Sequence, residues 1–393
     1  MKKKNLIAIL AIPCLLGAFS LRADDSMDSD MSQDQKVQPS ENFMSTYDRV
    51  KTMEITPKAG PVVSGGVDAY FEVDYIFWHA SATDLAYGES GLREVKATDT
   101  AATLSTFSNT SLAQGKVYLP KFKTSSGFKV GAGLDFDYDG WDLGLTYTWL
   151  HSNVHESARV MPAPTPGTVN AGGGVNQLSY DLADNVAAKT TGRRGFHLHF
   201  NALDLELGRS FFISSKLVLR PHMGLKGSWQ RLKTPFTYTM DNNLVDVNLE
   251  TTLAVNETYR VRPSEYYWGL GTRFGVDTSW YVSKCFSFFG ELSSSIMWNQ
   301  VKLNSSSHSD VVNASTGASV VSNAQTSHVR VRTHRNNLVL ESQIGMRYDY
   351  MFSDDEYRFR LQAGWEQQLW LSQFVEADNL SLQGLTLMMR IDF

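Results

Sequence analysis

The 393-residue sequence contains no run of the roughly 18 consecutive apolar residues that a membrane-crossing helix requires, which excludes a helical membrane protein. Beyond its first few residues it has no polybasic cluster. With a formal net charge of −5 it offers no electrostatic footprint for DNA or RNA. It has only two cysteines, Cys14 and Cys285, too few for a disulfide framework. No spacing of histidines, cysteines and acids calls for a metal or a cofactor. Aromatics and glycines are plentiful instead, at 12% and 29 residues, alongside a mildly negative mean hydropathy. A membrane protein combines these traits when its apolar residues are confined to alternate positions, as they are in a β-barrel.

Lys2, Lys3 and Lys4 precede an apolar run from Leu6 to Phe19, the charged and hydrophobic parts of a signal peptide too short to span a bilayer. Cleavage is expected after Ala23, with Leu21 bulkier than usual at the third position before the cut and Ser20 as the alternative. Pro13 stands where a lipoprotein signal needs a small residue before Cys14, so lipidation is not expected. Loss of the leader leaves Cys285 alone, and a lone cysteine is expected to be a packed apolar thiol. The organisation read from the sequence is a signal peptide over 1–23, a polar, acidic periplasmic segment over 24–61, and a barrel over 62–393. Within the second part, Phe43, Tyr47, Val50 and Met53 have the rough spacing of a short helix.

Alternation begins with Ala69, Phe71, Val73, Tyr75 and Phe77 against Asp68, Tyr70, Glu72, Asp74 and Ile76. One such strand suits a soluble sandwich as well as a barrel. Repetition favours the barrel. Phe128 to Phe136 alternate with Lys129, Asp135 and Asp137, turn at Asp139-Gly140, and return through Leu143, Leu145, Tyr147 and Trp149. Three more hairpins turn near Ser214–Lys216, near Ser283-Lys284 and between Tyr348 and Tyr357. At 42% apolar content, five residues in phase arise by chance in about 1% of windows. The last strand carries Leu385, Leu387, Met389, Ile391 and Phe393 in phase, and a terminal aromatic of this kind is the expected signal for the outer-membrane barrel assembly machinery.

Connections alternate between tight turns and long segments near 79–125, 151–195, 230–264 and 301–334, which places the turns in the periplasm and the long loops outside. The expected fold is therefore all-β, a transmembrane antiparallel up-and-down β-barrel in outer-membrane lipid. Ten strands are clear, and KVYLPKF and FTYTMDN within the loops could raise the number to twelve or fourteen. Pro221 inside a strand and a phase slip between Phe200 and Leu203 are expected to mark bulges. Aromatic residues near strand ends, such as Trp78, Trp149, Trp268 and Trp365, suit the two interfacial girdles.

The segments FEVDYIFW, DGWDLGLTYTW, NALDLELGRSFF, LVLRPHMGLKGSW, YYWGLGTRFGVD and LSLQGLTLMMRIDF together resemble the Legionella-type major outer membrane protein family, which also occurs in chlamydia-like bacteria. The similarity covers roughly Val67 to Phe393, apart from the long loops. It implies a surface-exposed outer-membrane barrel similar to a general porin, and it brings no catalytic motif.

The phase opposite the apolar one mixes acids and bases: Lys129, Asp135, Asp137, Asp142, Asp204, Glu206, Arg220, His222, Lys226, Arg273, Asp277, Glu291, Glu341, Arg347, Asp349, Arg358, Arg360, Glu366, Arg390 and Asp392. Charges in a low-dielectric wall must be wet or paired. They are read as the lining of a pore for small hydrophilic solutes, in a monomer or a loose homo-oligomer. The alternative is a salt-bridged plug, which would leave a structural or adhesive surface protein with Ser/Thr/Asn-rich loops such as 304–328. A third reading, an omptin-like hydrolase, would require His197 and His199 to meet Glu341 and Glu366 at one rim.

Overall fold

The computed structural model describes residues 69–90, 93–96, 108–112, 116–136, 140–160, 170–171, 189–248, 251–319, 325–353 and 356–393. The expected signal peptide with its cleavage point at Ala23, the 24–61 segment with its expected helix, and Asp137 lie outside these residues. Ten strands form the wall: β1 (Ala69–Ala82), β2 (Thr124–Asp135), β3 (Trp141–Val160), β4 (Lys189–Arg209), β5 (Leu217–Lys233), β6 (Thr251–Tyr281), β7 (Phe286–Asn313), β8 (Gln325–Phe352), β9 (Tyr357–Trp370) and β10 (Leu380–Asp392). Each pairs antiparallel with the next in sequence. The ring closes between β1 and β10, with Tyr70 opposite Asp392 and Ala82 opposite Leu380. Closure leaves the wall no unpaired edge, as hydrocarbon demands. Phe393 completes the seam, exchanging backbone hydrogen bonds of 3.0 and 2.9 Å with Ala69.

Period-two patterning sets which face meets lipid. Phe71, Tyr75 and Phe77 point outward, as do Leu203, Leu205 and Leu207, while Ile344 at 70% exposed is the extreme case. Outward aromatics meet across strands near the outer boundary of this band, where Phe128 stacks on Trp149, Tyr147 on Trp229, and Trp268 meets Trp298 edge-on. Gly140, with φ of 70°, adopts the left-handed conformation that the tight β2–β3 turn needs.

Several expectations change. Ten strands close the barrel, at the low end of the expected range. The stretch near 230–264 is not a loop. β5 pauses at Thr234-Pro235 and resumes as an arm, Phe236–Asn248, that pairs with β4 and β6. Likewise β7 and β8 run on as a paired hairpin with Ser309 opposite Gln325, so most of 301–334 is strand. KVYLPKF contributes only Lys116–Tyr118, which pairs with Gly88–Ser90 apart from the wall. No phase slip follows Phe200: Phe196, Leu198 and Phe200 face inward while His197, His199, Asn201 and Leu203 face outward in unbroken alternation. The apolar residues simply change sides, because the outer half of the lumen is itself apolar. Pro221 causes no register shift either. Register between β4 and β5 holds from His222 opposite Gly208 to Leu219 opposite Phe211, and Pro221 lies in the gap where that ladder lapses and Ser210 bonds Gly140 instead. Cys285 is exposed rather than packed, because it sits at the end of the β6–β7 turn.

Candidate functional site in the barrel lumen

Inward side chains form three levels. Nearest the periplasmic end, cross-strand neighbours pair directly: Arg358 donates to Asp392 at 2.8 and 3.0 Å, and Arg360 to Asp349 at 2.7 Å. Arg390 reaches Asp392 at 2.5 Å and Asp135 at 3.5 Å, and its guanidinium covers the Tyr70 ring at 3.5 Å. Among the described residues Arg347 has no carboxylate within 4 Å; it donates to Gln362 and Ser279 and lies over the Phe289 ring.

The middle level is a continuous ionic web. Arg220 bridges Asp142 and Asp277, the latter at 2.6 Å. His222 sits 3.6 Å from Glu206 and 3.5 Å from Asp277. Arg273 holds Glu206 at 2.7 Å and also Glu341, and Lys226, fully buried, holds Asp204 at 2.6 Å and Glu341 at 2.8 Å. On the other side of the lumen Lys129 pairs with Glu366 at 2.7 Å. Glu291 faces the same level without a cation within 4 Å among the described residues. Two glycines make room for these groups, since a Cβ on Gly208 would strike the Arg220 guanidinium and one on Gly275 the His222 ring. Strands β5 and β8, joined by Lys226 and Glu341, are three apart in a ring of ten, so the web crosses the interior rather than following the wall.

The outer level is apolar. Trp78, Phe196, Leu198, Phe200, Leu232, Tyr267 and Trp370 form one buried cluster. Phe200 on β4 and Trp370 on β9 belong to diametrically opposed strands, yet their ring centroids lie 5.5 Å apart. Into this cluster folds the outer connection between β9 and β10, residues 371–379, which buries Gln373, Phe374 and Ala377. Glu265, itself buried, accepts the backbone N–H groups of Val375 at 2.7 Å and Glu376 at 2.8 Å. Gln373 donates to Gln230 and accepts from Asn337, and Arg335 donates to the Phe374 carbonyl. A hydrogen-bonded chain ties this level to the ionic one, from Trp78 to Thr386 and from Thr386 to Glu366.

Sequence reasoning places the inward charges but misses this inserted loop and Glu265. The available signal is small: Phe374 and Ala377 are apolar residues in a short outer connection, and Glu265 lies on the inward phase of β6 directly before Tyr266, Tyr267 and Trp268. The histidines invoked for hydrolysis do not join the acids. His197 and His199 are on the outer surface of β4 beside His155 and His151, whereas Glu341 on β8 and Glu366 on β9 face the lumen.

Comparison with solved structures returns outer-membrane barrels of low similarity. A FadL homologue of Pseudomonas aeruginosa is 8% identical with a TM-score of 0.25, covering 83% of this chain and 89% of that one. The toluene transporter TodX of Pseudomonas putida is 8% identical with a TM-score of 0.18, covering 85% and 96%. The outer membrane channel DcaP of Acinetobacter baumannii is 10% identical with a TM-score of 0.12, covering 86% and 100%. No curated protein matches the chain. The model of one family, described as the Legionella pneumophila major outer membrane protein precursor, matches residues 71–392, nearly the whole of the closed ten-stranded wall; the chain belongs to that family and is a bacterial outer-membrane β-barrel.

Proposed function

We propose that the protein is a passive outer-membrane channel for small hydrophilic solutes, shut in this structure by the inserted loop 371–379. The inserted loop itself carries the reading. A barrel serving only as a wall needs nothing folded into it, since ten strands enclose little more space than the eight whose side chains alone fill the interior. Here a segment free to lie outside is instead drawn inward onto one carboxylate and a few amides. Below it the lumen presents both signs of charge, the setting in which opposed rings select ions. Lys129, Asp135, Arg220, His222, Lys226, Arg273, Asp277, Glu291, Glu341, Arg347, Arg358, Arg360 and Glu366 line the path of a solute once the loop leaves.

The Phe200–Trp370 contact favours a second reading, a permanently filled barrel with a structural or adhesive role at the cell surface. Planar-bilayer recording separates the two. Refolded wild-type protein is expected to give rare discrete openings, and a variant in which Gln373–Ala377 are replaced by two glycines is expected to open often. Silence from both, with each shown to be folded by heat-modifiable gel mobility, favours the filled barrel.

On the same reading Phe393 is the handle for the barrel assembly machinery, because its ring faces outward at the closing seam. Phe393→Ala is expected to lower the amount of folded barrel in cells while leaving refolding from urea into detergent unchanged. An equal loss in both settings assigns the residue to the seam alone.

A further inference from the structure

Past the apolar band, the outward face of β5 to β8 places Arg231, Tyr266, Lys302 and Arg332 directly opposite one another in a single cross-strand row, with Gln300 between the band and Lys302 on β7 and Asn336 and His334 between the band and Arg332 on β8. His199 and His151 continue the row onto β4 and β3. Lys302 and Arg332 are immediate cross-strand partners, a spacing of about 5 Å at which like charges repel and weaken the pairing. Neither has a carboxylate within 4 Å among the described residues. The next outward positions, Lys233, Ser264, Asn304 and Arg330, add two further cations and no acid. Arg231 lies with its guanidinium 4.7 Å over the Tyr266 ring, and its buried Nε has no hydrogen-bond partner. On the other side of the barrel the cross-strand row of Gln367, Gln383, His79 and Thr124 holds no lysine or arginine, and the exposed Lys121 and Lys123 lie just before β2 rather than on its lipid-facing row.

An uncompensated row of cations that starts at the boundary between hydrocarbon and water at Arg231 and continues beyond it at Lys302 and Arg332 attracts anions from outside the chain. Aromatic residues of the preceding row, Trp149, Trp229 and Trp268, fix that boundary, because indole rings settle at headgroup level. The geometry points to Arg231, Lys302 and Arg332 as a binding site for the phosphate groups of the anionic glycolipid in the outer leaflet, with Tyr266 and the neighbouring tryptophans against its acyl chains and sugar. Phosphate between Lys302 and Arg332 turns their repulsion into two charge-assisted contacts, and it supplies an acceptor beside Arg231. The site makes one flank of the barrel, β5 to β8, the flank that holds this lipid, while the β9, β10, β1 and β2 flank does not.

The test uses the full chain refolded in detergent, with native mass spectrometry to count bound lipid. Bis-phosphorylated lipid A is expected to bind, and the same lipid stripped of its phosphates is expected to bind about 100-fold more weakly, the effect of three cations at an anionic lipid surface. The variant Arg231→Gln/Lys302→Gln/Arg332→Gln is expected to lose the same factor, whereas Gln367→Ala/Gln383→Ala binds as wild type does. Inorganic phosphate at the same concentration is expected to leave no adduct, which separates a lipid site from a site for the free ion. Equal retention of the phosphorylated and stripped lipids by the wild type overturns the proposal, and that comparison stands even if the triple variant misfolds. Undiminished binding by a folded triple variant overturns it as well.

Discussion

Replacing Lys226 by methionine is expected to destabilise the barrel by about 3–5 kcal/mol, the range for removing one partner from a buried ionic pair. Methionine keeps the volume and the stem, so the loss is one of charge rather than of packing. In the middle web three permanent cations, Lys226, Arg220 and Arg273, face five carboxylates: Asp142, Asp204, Glu206, Asp277 and Glu341. Taking away Lys226 leaves Asp204 and Glu341 to share Arg273, which already holds Glu206. The same imbalance makes Glu341→Gln milder, since it removes an acid from an acid-rich cluster while Lys226 keeps Asp204 and Arg273 keeps Glu206. Glu341→Gln introduced into the Lys226→Met background is therefore expected to recover part of the loss, and the double-mutant cycle measures the coupling. Urea unfolding in lipid vesicles, followed by tryptophan fluorescence, gives these differences. A loss of less than about 1 kcal/mol for Lys226→Met, as for an exposed pair, means that water enters this level and screens the web.

Glu265→Ala is expected to release the inserted loop. The carboxylate is buried and accepts two backbone N–H groups from the loop, each a hydrogen bond to a charged group contributing about 1.5–3 kcal/mol. Loss of about 3 kcal/mol from the inserted state raises the population of the withdrawn state roughly 100-fold. Alanine also removes the acid itself, so no unpaired charge stays behind to punish the closed form. Cysteine labelling reads the change. In a Cys285→Ser background, which removes the exposed native thiol, Ala377→Cys places a small probe at a fully buried loop position. A membrane-impermeant maleimide is expected to react with it slowly in the otherwise native barrel and about 100-fold faster with Glu265→Ala. Channel openings are expected to become more frequent in step. Labelling at the same rate in both proteins means that Phe374 and Ala377 in the apolar cluster hold the loop without Glu265.

What the sequence makes legible here is the periodicity of two, and what it hides is everything that depends on the third dimension. Phe71, Tyr75 and Phe77 announce their lipid-facing side because residues on that side have a single solvent, hydrocarbon. The inner face has no single solvent. Lys129 and Glu366 are charged because water or an opposite charge is near, whereas Phe196, Leu198 and Phe200 are apolar because the opposite wall is near. Alternation alone reads such residues as a change of phase. Partners such as Lys226 and Glu341 are 115 positions apart on strands three places removed, and no local pattern pairs them. Cross-strand neighbours such as Arg360 and Asp349 are nearer to being readable, since the tight turn between β8 and β9 fixes their register. The extension of β7 and β8 past the membrane escapes a reading by hydropathy because both faces of that hairpin are wet, and serines then look like a loop.

Hydrocarbon sorts residues into two faces but is indifferent to sliding by two, because such a shift returns every greasy side chain to the same side. The inward charges are not indifferent. Moving β9 by two residues along β8 in one direction sets Arg360 against Arg347 in place of Asp349, and a like displacement of β6 along β5 brings Arg273 against Lys226. Misaligned sheets are thus silent to lipid yet strongly penalised inside, so the web that fills this interior also selects the one alignment among many that the bilayer would accept.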